Sequence, residues 1–232
     1  KLISLLYSAF SISNKSVKCW QDRSGKSNHA KFISGSPPLL IPDSKPEQSH
    51  LKFKNSFLRA NGVNISREIT PDVTVVFVFK PHASQTNMAL WGTDNMGWDR
   101  FAGLNVYGNS GVSNGVTGLV DTLTLKNEVF KSYITTLRSD KNFKSTSHIN
   151  GWQSGEAFTE NVGNSSHSFF DIGSIGHDQN IFKGNLDVKE VLVFPKALND
   201  RERISLDYYL AKKWGHRLEK VKPLIWPEMV NS

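Results

Sequence analysis

Apolar and polar positions along the 232-residue chain alternate in short runs separated by turn-forming residues. The strongest run is residues 72–80, DVTVVFVFK. It is apolar on both parities, which predicts a strand covered on both faces and central in its sheet. Pro81 ends it, because proline donates no ladder hydrogen bond. Residues 186–194 (LDVKEVLVF) repeat this density and close at Pro195. Shorter candidates lie at residues 1–11, 18–20, 51–57, 58–60, 88–92, 101–107, 116–125, 130–138, 145–150 and 169–175. Asn150-Gly151 is a type I′ hairpin signal, and the prolines of residues 36–47 restrict that stretch to loop or edge. Helical period appears once, over about residues 199–213. Asn199 and Glu202 have the spacing of a capping box. Ile204, Tyr208 and Ala211, with Leu210 and Trp214 beside them, form an apolar stripe predicted to face the sheet. Lys212 and Lys213 suit the negative end of the helix dipole, and Gly215 is a natural stop. Many short strands, no fixed-period repeat and no long linker predict one large all-β domain, a sandwich with one late helix.

The two ends of the chain carry a resemblance. Residues 17–30, VKCWQDRSGKSNHA, are similar to the opening of laminin-G-like, concanavalin-A-like jelly-roll domains of bacterial and phage type. Residues 190–215, EVLVFPKALNDRERISLDYYLAKKWG, look like the close of those domains, and HINGWQ (residues 148–153) looks like one of their hairpins. The resemblance implies two antiparallel sheets in jelly-roll topology over residues 1–219, followed by an extended tail, 220–232. The family hosts lectins, adhesins, enzyme-linked modules and virion proteins, so it implies no single function. It also places residues 1–10 (KLISLLYSAF) on the first strand rather than in a signal peptide.

The net charge of +7 reads as a solvated basic surface. The sharper alternative is a patch for acidic polysaccharide or lipopolysaccharide phosphate. No run of five or more Lys/Arg occurs, which disfavours nucleic acid as a partner. Cys19 is the only cysteine, so no intrachain disulfide is expected, and beside Trp20 it reads as an inert thiol. Animal secreted relatives often carry a disulfide; its absence fits a bacterial or viral source better. No stretch approaches the roughly 18 apolar residues of a membrane span. The start at Lys1 suggests a piece processed or excised from a longer chain. Asp22, in a turn of Ser, Gly and Asn, reads as turn-forming because spaced multiple carboxylates are absent, and no cofactor is expected; calcium at Asp22 is the alternative, since hard cations take several oxygen ligands.

No complete catalytic motif occurs. Glucanases of this fold class use E-x-D-x-x-E, which is missing; lyases of this architecture combine Gln-x-His with a Tyr-x-Lys-x-Gly-type strand, and of these only Gln-x-His is present, once, as Gln48-Ser49-His50. Glu156 and Glu160 share a parity but lie in a loop-like region. His148, His167 and His177 are scattered, without zinc spacing. The expectation is a non-enzyme. Binding remains, because aromatic rings stack on the C–H faces of sugars while polar side chains bond the hydroxyls. The candidate ligand-binding residues are Trp98, Asp99, Arg100, Asn105, Tyr107 and Trp152; Trp91 reads as core, and 176–180 (GHDQN) as a plain turn. The leading expectation is a non-catalytic lectin-like or adhesion module that binds cell-surface or extracellular polysaccharide. The rival is a virion or surface-assembly protein whose jelly roll packs on copies of itself through Ile225 and Trp226. Both place the chain outside the cell, on its surface or on a virion.

Overall fold

The computed structural model describes residues 3–5, 10–13, 15–66, 68–82, 88–93, 100–104, 133–139, 144–158, 168–176, 183–216 and 218. The strand expected at 116–125 and the tail 220–232 lie outside them. The first strands are β1 (Ile3–Leu5), β2 (Phe10–Ser13), β3 (Ser16–Trp20), β4 (Ala30–Phe32), β5 (Leu39–Ile41), β6 (His50–Lys52) and β7 (Leu58–Asn61). They are followed by β8 (Val73–Pro81), β9 (Met88–Gly92), β10 (Phe101–Leu104), β11 (Tyr133–Ser139), β12 (Lys144–Ile149), β13 (Trp152–Phe158), β14 (Phe169–Ile172) and β15 (Leu186–Phe194). One helix, α1 (Asp200–Trp214), ends the described fold.

Every described ladder is antiparallel, and the strands run as one curled path, β10-β9-β14-β7-β4-β3-β5-β6-β15-β8-β11-β12-β13. The path is thinnest between β3 and β5, where only Ser16 and Leu39 pair. The strands before and after that seam form two layers around a common core. Trp20, Leu58, Ala60, Leu90 and Phe170 from one layer meet Leu51, Val75, Phe77, Val188 and Val191 from the other. This is the all-β sandwich with one late helix that the pattern predicts, and it is consistent with the jelly-roll topology that the resemblance implies.

β8 is central, paired to β15 on one side and β11 on the other. Val73, Val75, Phe77 and Phe79 face the sandwich core, while Val76 and Val78 face outward beneath α1. Its two apolar parities therefore need two covers, and α1 is the second. Asn199 Oδ1 accepts from the Glu202 amide at 2.9 Å, and Glu202 accepts from the Asn199 amide at 3.0 Å, completing the expected capping box. Gly215 ends the helix at φ 67°, a conformation that costs a residue without Cβ little.

The helix face differs from the expected stripe. Arg203, Asp207, Leu210, Ala211 and Trp214 are buried, whereas Ile204 and Tyr208 are half-buried at the edge. The buried charges satisfy each other across one turn, with Arg203 Nη1 2.7 Å from Asp207 Oδ2. A reading that counts only apolar side chains shifts the face by one residue. The helix is also clamped at both ends. Arg138 donates to the Leu198 carbonyl at 3.0 Å and to Asp200 at 2.9 Å. Buried Glu190 accepts from Lys213 Nζ at 2.9 Å and from Trp214 Nε1 at 2.6 Å. Burial, reinforced by the charges of Arg203 and Arg138, pushes the pKa of His148 down to about 3, so its imidazole is neutral in this interface at physiological pH.

Leu210→Ala should lower unfolding free energy by about 2–5 kcal/mol, because it empties a fully packed site between helix and sheet. Ile204→Ala should cost clearly less. Urea titrations of both variants check this; equal losses would place the buried face at Ile204.

Candidate functional site

The aromatic stretch of residues 91–100 ends β9 and connects it to β10. Its stem is fixed by pairing of Phe101 with Gly92 and Ala102 with Trp91, and by a bond from the Thr93 amide to the Arg100 carbonyl at 3.0 Å. Gly92 is required there, because a Cβ would fall 2.2 Å from the Ile175 carbonyl oxygen. Trp91 is buried and stacks on Phe170 at 5.5 Å between centroids, the core role expected of it.

Arg100 is 3% exposed. Its guanidinium donates to the carbonyls of Ile65 at 2.8 Å, of Thr70, and of Pro71 at 2.6 Å. The 64–71 turn presents these oxygens together because Thr70 and Ser66 bond back to Asn64. Arg100 thus ties the exit of the aromatic loop to a neighbouring turn, a positioning role that its sequence context did not announce. Trp98, Asp99, Asn105 and Tyr107 lie outside the described residues.

Trp152 begins β13 directly after the Asn150-Gly151 turn, whose central residues stand at φ 49° and 84°, as a type I′ turn requires. β10 and β13 are the two ends of the strand path. The loop and the hairpin, both expected from the sequence to carry ligand-binding residues, therefore stem from opposite ends of the sheet order.

The Asp22 turn shows how Trp20, Asp22 and Ser24 act together in this chain. Trp20 enters the core, while Asp22 Oδ1 accepts from the Ser24 amide at 2.7 Å and Oδ2 from the Ser24 hydroxyl at 2.8 Å and the Asn28 amide at 3.0 Å. Both carboxylate oxygens close the turn. Among the described residues, no group of three or more His, Cys, Asp or Glu is arranged to hold a metal ion.

An open groove of about 620 Å³ lies at the β3–β5 seam, lined by loop 35–37, Ser16, Leu39, Lys52, Lys54 and Asn55. The sequence reading missed it. Its signal is the L-K-F-K run of residues 51–54, in which buried Leu51 and Phe53 alternate with exposed Lys52 and Lys54. Beside it, Asp187 stands between two histidines, 2.7 Å from His82 Nε2 and 3.5 Å from His50 Nε2. Burial pushes the Asp187 carboxyl up, but the bonds and charges of His50 and His82 outweigh it and hold the group below the usual carboxylate range.

No family model and no curated protein sequence matches the chain. Solved structures share its fold. One is domain 4 of AbnA, a GH43 extracellular arabinanase from Geobacillus stearothermophilus, in complex with arabinotriose. It is 16% identical with a TM-score of 0.60, over 88% of this chain and 99% of that one. Another is a Trypanosoma rangeli sialidase mutant displaying trans-sialidase activity, 15% identical with a TM-score of 0.62, over 93% of this chain and 34% of that one. A third is the binding domain of botulinum neurotoxin DC in complex with SialylT, 12% identical with a TM-score of 0.62, over 90% and 51%. The chain thus spans about a third of the sialidase and half of the toxin domain. At these identities the likeness is one of fold. Among the described residues, no helix is long and apolar enough to cross a membrane.

Arg100→Ala should lower stability by roughly 2–3 kcal/mol, since several carbonyls lose a charged donor. Urea unfolding checks this. An unchanged midpoint with lost ligand affinity would instead make Arg100 a ligand contact.

Proposed function

We propose that the chain is a non-catalytic carbohydrate-recognition module, a laminin-G-like, concanavalin-A-like jelly roll working outside the cell or on its surface. One observation carries the reading. The backbone follows, over nearly the whole of both chains, an arabinanase domain bound to an oligosaccharide. The toxin binding domain in complex with SialylT supports the same class of ligand. The sialidase is an enzyme, so the fold alone does not decide against catalysis. The decision rests on this chain's own residues. The E-x-D-x-x-E string is missing, the single Gln-x-His string (Gln48-Ser49-His50) comes without a Tyr-x-Lys-x-Gly string, and the buried carboxylates Asp171, Asp187, Glu190 and Asp207 are each bound to a cation or ring donor of the fold.

The ligand contacts proposed are Trp98 and Asp99 of the loop between β9 and β10, Asn105 and Tyr107 of the stretch that follows β10, and Trp152 as a separate aromatic position. Arg100 holds that loop in place. The assembly reading rests on Ile225 and Trp226 alone, both outside the described residues, and ranks second.

A glycan array should give signals for wild type that Trp98→Ala removes while leaving the thermal midpoint in place. A wild-type protein that binds no glycan and forms stable oligomers would favour the assembly reading instead.

A further inference from the structure

The seam groove is built from three strands and two turns. Ser16, Leu39 and Lys52 stand in one row across β3, β5 and β6, because Leu39 pairs with both of the others. Leu39 is 42% exposed, an apolar surface in the groove. Lys54 projects from the same parity as Lys52, and Asn55 turns the chain at φ 50°. The Asn55 amide bonds the Gly184 carbonyl at 3.1 Å, which pins the turn carrying Lys183 against the groove wall. Lys183 Nζ reaches loop 35–37: a Cβ on Gly35 would lie 4.0 Å from it. Gly35 itself stands at φ 87°, a backbone conformation that favours glycine.

The charge is one-sided. Among the described residues, no carboxylate pairs with Lys52, Lys54 or Lys183. The carboxylate nearest in register is Asp187, opposite Lys52 on β15, and it is engaged by His82 and His50. The 620 Å³ volume falls within the range of about 300–1,000 Å³ typical of small-ligand sites. Such a site offers ammonium groups for anions, the Ser16 and Ser36 hydroxyls and the Asn55 amide for ring hydroxyls, and Leu39 with Pro37 for a C–H face.

We propose that this groove binds an anionic oligosaccharide, one bearing carboxylate or sulfate groups, as a subsite separate from the aromatic loop. The inference rests on the carbohydrate reading above and specifies the ligand's charge. Lys52 and Lys54 meet one acidic residue of the sugar and Lys183 the next, while Leu39 carries the apolar face of the ring between them.

The test is isothermal titration of the full chain with three probes: a galacturonate hexamer, a heparin-derived hexasaccharide and neutral arabinotriose. The wild type should bind at least one of the acidic sugars, with affinity falling about fivefold or more between about 50 and about 300 mM salt, as exposed charge contacts are screened. Preference between the two acidic sugars tells carboxylate from sulfate. Lys52→Glu/Lys54→Glu should weaken that binding at least about tenfold, and the milder Lys52→Gln/Lys54→Gln should weaken it less, with circular dichroism unchanged in both. Arabinotriose binding, where it occurs, should follow Trp98→Ala and ignore the lysine variants. Neutral binding with no acidic binding overturns the groove and leaves the general reading standing; no binding to any sugar overturns both. Acidic binding unmoved by the lysine variants overturns the groove. So does equal affinity for a dodecameric oligothymidylate, which would make it an unselective anion surface.

Discussion

The fold depends on covering two strands from both sides. β8 and β15 lie side by side at the centre of one layer, and their side chains alternate between the sandwich core and the underside of α1. Neither face can be left to water: each large apolar side chain on it contributes roughly 1.5–3 kcal/mol when buried. The opposing layer covers one face, and a single capped helix covers the other. The ties at the helix ends follow from this need. Glu190 on β15 holds Lys213 and Trp214, Arg138 on β11 holds Asp200 and the Leu198 carbonyl, and Thr74 on β8 bonds the Lys196 carbonyl and the Leu198 amide. A β-bulge at Lys189 shifts the β15 register between Val188 and Glu190, aiming Glu190 at the helix.

The same constraint separates structural from functional surface. Charges buried within the fold are committed to it: Arg203 with Asp207 under the helix, Arg59 with Asp171 across β7 and β14, and Arg100 with three carbonyls. Lysines at the seam have no such task. There the layers join through a single residue pair and the strands are short, so side chains such as Lys52 and Leu39 stay in solvent. The surfaces proposed for recognition lie at the seam and on the loops, where stability asks least of the side chain.

Legibility in the sequence followed the same division. Residues 72–80 and 186–194 announced a doubly buried strand pair because both parities are apolar, and Asn199, Glu202 and Gly215 announced the helix by local hydrogen-bond chemistry. Asn150-Gly151 fixed its hairpin for the same local reason. What pattern could not convey was long-range pairing. Arg203 and Asp207 form no part of the apolar stripe read from the sequence, yet they lie inward, where each neutralises the other. Arg100 read as a sugar contact, yet its partners are carbonyls of residues 65, 70 and 71, set by a turn about 30 positions away. The groove was invisible for the opposite reason: Ser16, Gly35, Lys52 and Lys183 are ordinary in their own stretches and meaningful only when the sheet folds over.

Native-state hydrogen exchange tests the central claim most directly. If β8 and β15 form the doubly covered spine, the amides of residues 75–78 and 191–193 should be the slowest in the chain. They should open only with global unfolding, at the free energy measured by denaturant. The β9–β10 stem should open earlier. Exchange that is slowest in β9 and β10, with β8 and β15 opening locally, would contradict the account.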